Sequence, residues 1–242
     1  MKNKNGVYII RFNKKSLLIC IVFLSLIFLS FKSFWKSYKV FNHENLKNIV
    51  IDPGHGGIDG GTGDEKDILE KDVNLDVALK LKKELLVEDY NIIMTREEDQ
   101  SLEEFSNIKA SRYRRDLDAR KTIINENEPL VFVSIHVNAS TGPKARGIKI
   151  YHFPDSIEGE ILANNIKESV DEYVYDDFLK DENLRSEVLS EDYYILRETN
   201  FTGVLIEIGF ITNPEENKLL KDKKYKEKVA YAIKKGILEY LK

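Results

Sequence analysis

Six short runs rich in Ile and Val, separated by segments of helical periodicity, constrain this chain more than any other feature. The runs are "NIVID" (48–52), "NIIMT" (91–95), "LVFVSIH" (130–136), "GIKIYH" (147–152), "YYILR" (193–197) and "GVLIEIG" (203–209). Their length and β-branched content predict strands. Between them Val73, Val77, Leu81 and Leu85 recur at helical spacing within 70–88, and 112–127, 157–175 and 223–241 also read as helices. Several runs are apolar on both faces, as strands are when helices cover a sheet from each side. The expected fold is a single α/β domain with a central, twisted, six-stranded, mostly parallel sheet and helices on both faces.

Composition bounds the chemistry. At 242 residues, 42% hydrophobic and 32% charged, the chain is long enough to bury a large core without covalent staples. Its single cysteine, Cys20, excludes a disulfide framework and a cysteine-rich zinc module. Four histidines (His43, His55, His136, His152) and 41 acidic residues remain as metal-binding material. Charge is unevenly placed. Eight of the 37 basic residues lie in 1–39, which has no acid, so 40–242 carries 29 basic against 41 acidic residues, a net −12. A domain this acidic repels polyanions, which argues against nucleic acid as a partner.

The basic N-terminal segment surrounds "LLICIVFLSLIFLSF" (17–31), which has no charge. These 15 residues, extended by Ser16 and by "KSFW" with Lys32 snorkelling and Trp35 at the interface, approach the roughly 20 of a membrane-spanning helix. Five basic residues precede the run and three follow it, which places the N-terminus in the cytoplasm. A cleaved signal peptide is the main competitor, but no small-x-small cleavage site follows the run. Residues 1–35 are therefore expected to form a cytoplasmic N-terminus and uncleaved signal-anchor, 36–47 a linker, and 48–242 a catalytic domain outside the membrane.

Chemistry concentrates in "IVIDPGHGGIDGG" (49–61), where a strand ends in Asp-Pro and His55 stands among glycines. The glycines miss the G-x-G-x-x-G register and no G-K-[ST] follows, so a phosphate cradle is a poor fit. Glycine permits close backbone approach, which suits an imidazole exposed at the C-terminal edge of a sheet, where ligands of α/β sheets gather. His136 ends another apolar strand. Two histidines at equivalent strand ends suggest a metal site of two imidazoles, one carboxylate and an open position. Glu70 is the candidate carboxylate, although alone it reads as a first-turn acid favoured by the helix dipole, and Asp64, Glu65, Asp67 and Asp72 compete with it. Glu207 interrupts the apolar strand "GVLIEIG"; burial there raises its pKa and suits it to act as a general base, with a structural ion pair as the alternative.

"IDPGHGGIDGG" with Glu70, then "LDARKTIIN…FVSIHVNAS", then "ILRETNFTGVLIEIGFITNPEE", occurring in this order from Ile49 to the C-terminus, resembles the zinc-dependent N-acetylmuramoyl-L-alanine amidases of the type-3 amidase family. The resemblance implies zinc held by His55, Glu70 and His136, with Glu207 as the catalytic glutamate. The implied substrate is peptidoglycan, cut between the muramic lactyl group and the stem peptide's L-alanine. Asp52 and Asn138 are expected to support the ligands from behind, and Arg120 matches a family arginine read as structural. The family commonly has Ala-Asn where this chain has Ile124-Asn125, read as a packing change. Residues 157–192 show one evident helix and an acidic segment, so an inhibitory helical plug is not expected; nor are separate wall-binding repeats. The layout of anchor and bare catalytic domain is similar to spore-cortex amidases, which implies a wall or cortex role in sporulation and germination. His152 matches no ligand position, and His43 reads as a linker residue. Three ligands, one on a Gly-rich loop, leave room for an activating protein partner that orders the site. The competing functions are a zinc carboxypeptidase acting on the stem peptide and a wall-binding protein that has lost catalysis.

Overall fold

The computed structural model describes residues 46–242 other than 65 and 143, and, nearer the N-terminus, residues 15, 18, 21–28 and 30. The chain divides into two units, 1–46 and 47–242. In the first, residues 21–28 are helical. Among the described residues no helix is long and apolar enough to cross a membrane. Most of the expected anchor and linker, His43 included, lies outside the described residues.

The second unit holds strands β1 (Lys47–Pro53), β2 (Tyr90–Met94), β3 (Val131–Asn138), β4 (Lys149–His152), β5 (Glu187–Ser190) and β6 (Gly203–Phe210). Its helices are α1 (Glu70–Leu85), α2 (Arg112–Glu126), α3 (Ile157–Val170), α4 (Tyr194–Arg197), α5 (Pro214–Lys221) and α6 (Lys223–Tyr240). A single 3-10 turn spans Glu103–Phe105, and α3 runs on into a π-helical stretch, Asp171–Leu179, which ends at Lys180 in the left-handed region. The strands form one six-stranded sheet in the order β2-β1-β3-β6-β4-β5. β2, β1, β3 and β6 are mutually parallel, β4 runs antiparallel to β6, and β5 runs parallel to β4.

Strand parity divides the core in two. Ile49 and Ile51 of β1, Val131, Val133, Ile135 and Val137 of β3, and Val204, Ile206 and Ile208 of β6 join one large cluster with α1, α3 and α6. Helix α6 packs against both α1 and α3. The intervening residues Val50, Phe132 and Leu205 meet Ile124 of α2 and Ile195 and Leu196 of α4 in a second, smaller cluster. Each fully buried Val, Leu or Ile contributes about 1.5–3 kcal/mol relative to exposure, so the first face carries most of the stability. The second is thinly covered and has room for polar residues.

One expected strand is a helical turn. Within "YYILR", Tyr194–Arg197 forms α4, and the fifth strand is instead the exposed edge segment "EVLS". Ile195 and Leu196 are both buried in the second cluster. A strand would send neighbouring side chains to opposite faces, whereas one helical turn lets both pack on the same sheet.

Helices α3 and α6 approach closely at Gly236, where a Cβ would lie 2.4 Å from Ile166 Cα. Gly236→Ala should therefore destabilise the protein by about 1–3 kcal/mol in urea unfolding, through overpacking. Helix propensity alone predicts the opposite sign, so a stabilised variant would refute the close packing.

Candidate metal centre

Parity also builds the site. On β1 the residue after Val50 on the thin face is Asp52. On β3 the thin face carries Phe132, Ser134 and His136, and on β6 it carries Leu205 and Glu207. Register then aligns them: Asp52 is opposite Ser134, and His136 is opposite Glu207. β2 and β3 leave β1 on opposite sides, so the C-terminal edge between β1 and β3 is the switch point where α/β sheets open a crevice.

The loop after β1 brings His55 into that crevice. His55 is left-handed, with φ 59°, beside Gly56 at 137° and Gly57 at 58°. A non-glycine residue held there costs about 1–2 kcal/mol, so its surroundings must fix it. Two arginines do so. Arg120 donates to the carbonyls of Pro53 (2.7 Å) and His55 (2.6 Å), and Arg96 donates to those of Pro53 (3.0 Å) and Gly54 (2.8 Å). Gly54 itself leaves room for the neighbouring imidazole, since a Cβ there would lie 2.2 Å from His136 Cε1.

Glu70, the first residue of α1, is 2% exposed and lies between the two imidazoles. Its Oε1 is 3.2 Å from His55 Nε2 and 3.0 Å from His136 Nδ1. The backbone N–H groups of Thr62 (to Oε2, 2.9 Å) and Val137 (to Oε1, 3.1 Å) donate to it, and Asn74 Nδ2 adds a longer contact at 3.4 Å. One ligand atom from each of His55, Glu70 and His136 lies within 4.8 Å of the others. Two imidazoles and a carboxylate converging beside open space are the donor set of a three-ligand zinc site, so these residues fit a zinc ion. Burial would raise the Glu70 carboxyl, but His136 and His55 hold it well below the usual carboxylate range. Burial likewise opposes charge on His55, yet Glu70 and Asp59 outweigh it and push that imidazole up to about 9. Glu207 stands apart. Burial, with Glu70 adding repulsion against the opposing pull of the histidines, pushes it up to about 7, and its buried Oε2 has no hydrogen-bond partner.

The structure thus brings His55, Glu70, His136 and Glu207 together. Asp52 is buried behind the loop, but its partners are Thr95 (2.6 Å), Ser134 (2.7 Å) and Arg120 (2.8 Å), not an imidazole nitrogen. The acid that receives His55 Nδ1 is Asp59, at 2.8 Å, four residues on in the same loop. Asn138 follows an irregularity in the β3–β6 register and lines the groove near the cluster. His152 is remote from the crevice, because β4 runs antiparallel and ends near the start of β6; its Nδ1 meets the Phe153 carbonyl at 2.9 Å. Asp59 and Arg96 were missed. The "HGGID" spacing placed Asp59 within reach of His55, but no local signal marks Arg96, whose partners Pro53, Gly54 and Lys71 are distant in sequence.

The His55–Glu70–His136 cluster and Glu207 face an open groove of about 910 Å³, whose walls include Ser101, Glu103, Ser111 and Arg112. The family model described as N-acetylmuramoyl-L-alanine amidase matches residues 49–239. The chain is 36% identical over 195 residues to the germination-specific N-acetylmuramoyl-L-alanine amidase of Bacillus subtilis (strain 168), covering 80% of this chain and 79% of that protein. Its fold is similar to that of the CwlD amidase from Clostridioides difficile, solved in complex with the GerS lipoprotein, with a TM-score of 0.71 and 39% identity over 81% of this chain and 98% of that one. An N-acetylmuramoyl-L-alanine amidase from Clostridium difficile 630 gives a TM-score of 0.68 and 33% identity over 81% and 97% of the two chains.

Two outcomes follow from this geometry. Gly54→Ala should weaken zinc binding about 10–100-fold by displacing the His136 ring, measured by chelator competition; unchanged affinity would separate His136 from the metal. Because His55 holds its proton up to about 9 and must lose it to ligate, zinc affinity should fall as pH is lowered from 9 to 6. A flat profile would remove His55 from the donor set.

Proposed function

The chain belongs to the N-acetylmuramoyl-L-alanine amidase family, and on that premise we propose that it hydrolyses the amide joining N-acetylmuramic acid to the L-alanine of peptidoglycan stem peptides. The observation that carries this reading is the Glu207 carboxylate, buried beside the His55–Glu70–His136 cluster with one oxygen unpartnered. A buried polar group without a partner is costly, and a protein that only bound cell wall would have no use for it.

His55, Glu70 and His136 would hold zinc, which supplies Lewis-acid activation of water and of the scissile carbonyl. The chain's own residues do the rest. Glu70 is held ionised, as a ligand must be, and Asp59 fixes the His55 ring through Nδ1. Glu207 accepts a proton from the attacking water, whose oxygen adds to the lactyl carbonyl carbon. As the carbon–nitrogen bond breaks, Glu207 returns that proton to the alanine nitrogen, giving a carboxylic acid and a free amino terminus. A glutamate near 7 suits both transfers at neutral pH.

The setting follows from the relatives and the N-terminal sequence. The germination-specific relative supports action on spore cortex or cell wall. The apolar segment 17–31 within basic flanks supports an uncleaved anchor over 1–35, with the catalytic unit outside the cytoplasmic membrane. The complex of the C. difficile amidase with a lipoprotein supports a protein partner for this chain too. Such a partner would act on the glycine-rich loop that carries His55.

Glu207→Gln should retain zinc and fold while losing activity by about 10²–10⁴-fold. The wild-type rate should rise with pH through about 7, since the acceptor works only when ionised. Near-normal turnover by the variant, or a rate that falls across that window, would overturn the assignment.

A further inference from the structure

A second cavity adjoins the groove at Glu207. It measures about 220 Å³ and is continuous with the groove, because His55, Asp59, Tyr113, Asp116, His136 and Glu207 line both. Three tyrosines, Tyr113, Tyr193 and Tyr194, line it over an apolar floor of Leu117, Ile195 and Leu205. Two of the rings are held from outside. The Arg114 guanidinium sits 3.8 Å from the Tyr194 ring centroid, and Tyr151 meets Tyr193 edge-on with centroids 5.3 Å apart. Tyr113 is 64% exposed. Buttressed aromatic rings beside a reaction centre are a preorganised surface for a ring-shaped ligand.

The charges of the two arms differ. Of the four carboxylates lining the aromatic cavity, Asp52 and Asp116 both bond Arg120 and Asp59 bonds His55, which leaves Glu207 at its mouth. In the open groove Arg112 is half exposed and only loosely paired with Glu103, at 3.9 Å, and Glu103 keeps one oxygen without a partner. Unspent charge there suits a peptide with ionised groups. A pocket walled by tyrosines, with bonded polar groups behind them, suits a ring with an apolar C–H face and hydroxyls at its rim.

We propose that the cavity walled by Tyr113, Tyr193 and Tyr194 is a saccharide subsite that seats the N-acetylated pyranose carrying the lactyl group, leaving the peptide stem in the open, charged groove. This rests on the amidase reading and adds the direction in which substrate lies across the metal centre. Tyr193 and Tyr194 are then determinants of sugar recognition. Tyr194 opens the helical turn α4 and Tyr193 immediately precedes it.

The test compares two substrates on the zinc-loaded full chain: a disaccharide-peptide, and a D-lactoyl-peptide without the sugar. The ratio of their kcat/KM values should fall about tenfold in Tyr194→Ala or Tyr193→Ala, through KM, and stay near wild type in Tyr194→Phe, which keeps the ring. Equal losses on both substrates, a larger loss on the sugar-free one, or no loss at all would overturn the subsite. Binding of the peptide-free N-acetylglucosaminyl–N-acetylmuramic acid disaccharide, followed by NMR, separates this idea from the amidase reading. If the wild type cleaves neither substrate, the amidase reading fails, while disaccharide binding that weakens in the alanine variants still supports the subsite. Disaccharide binding that is absent, or unchanged in those variants, overturns it.

Discussion

The buried pair of Asp52 and Arg120 holds the centre in shape. Both side chains are almost sealed from water, and the Arg120 guanidinium spans from the Asp52 carboxylate to the carbonyls of Pro53 and His55. Asp52 in turn accepts from Thr95 after β2 and Ser134 on β3, so one carboxylate ties together three neighbouring strand ends and helix α2. Burying two charges costs several kcal/mol per ion, and such pairs often add little net stability. What this pair adds is position. It fixes the backbone through His55, where the chain is left-handed, and so aims an imidazole at a place a relaxed loop would not hold it.

Around that clamp the sheet sets up two glutamates in opposite states. Glu70 enters from the large-core side on the first turn of α1 and sits between two imidazoles, which hold it ionised. Glu207 enters from β6 on the thin face with no hydrogen bond to its inner oxygen, and burial pushes it up to about 7. On the proposed mechanism a ligand must keep its charge and a proton carrier must exchange it, so two like side chains would serve different roles because their surroundings differ. The thinness of the second core cluster belongs to the same design. Polar residues at the C-terminal ends of β1, β3 and β6 need a crevice, and the opposite face provides the packing that the crevice gives up.

Much of this was legible in the sequence. The length and β-branched content of "NIVID", "LVFVSIH" and "GVLIEIG" predicted strands, and strand parity places Asp52, His136 and Glu207 on one face. Glu70 could not be separated from its acidic neighbours by spacing, because the loop from His55 to α1 folds back in ways no local rule fixes; family resemblance chose it. Asp52 was expected to support the ligating imidazoles from behind. Strand geometry instead turns it toward Ser134 and Arg120, and the bend of the glycine loop gives the imidazole to Asp59. "YYILR" has strand-like composition, yet its two adjacent apolar side chains both belong to one face. Only the packing of α4 on the sheet resolves that. His152 shows the same limit: strand direction decides which end of the sheet a terminal histidine occupies, and β4 runs the other way.

On the proposed function, the His55–Glu70–His136 cluster and Glu207 together cut the muramoyl–alanine amide. Mass spectrometry of purified peptidoglycan after digestion by the zinc-loaded full chain tests it most directly. The products should be glycan strands bearing free lactyl carboxylates, together with intact stem peptides that begin with a free L-alanine amine. Stem peptides still attached to muramic acid but shortened at their far ends would contradict it and identify a carboxypeptidase instead.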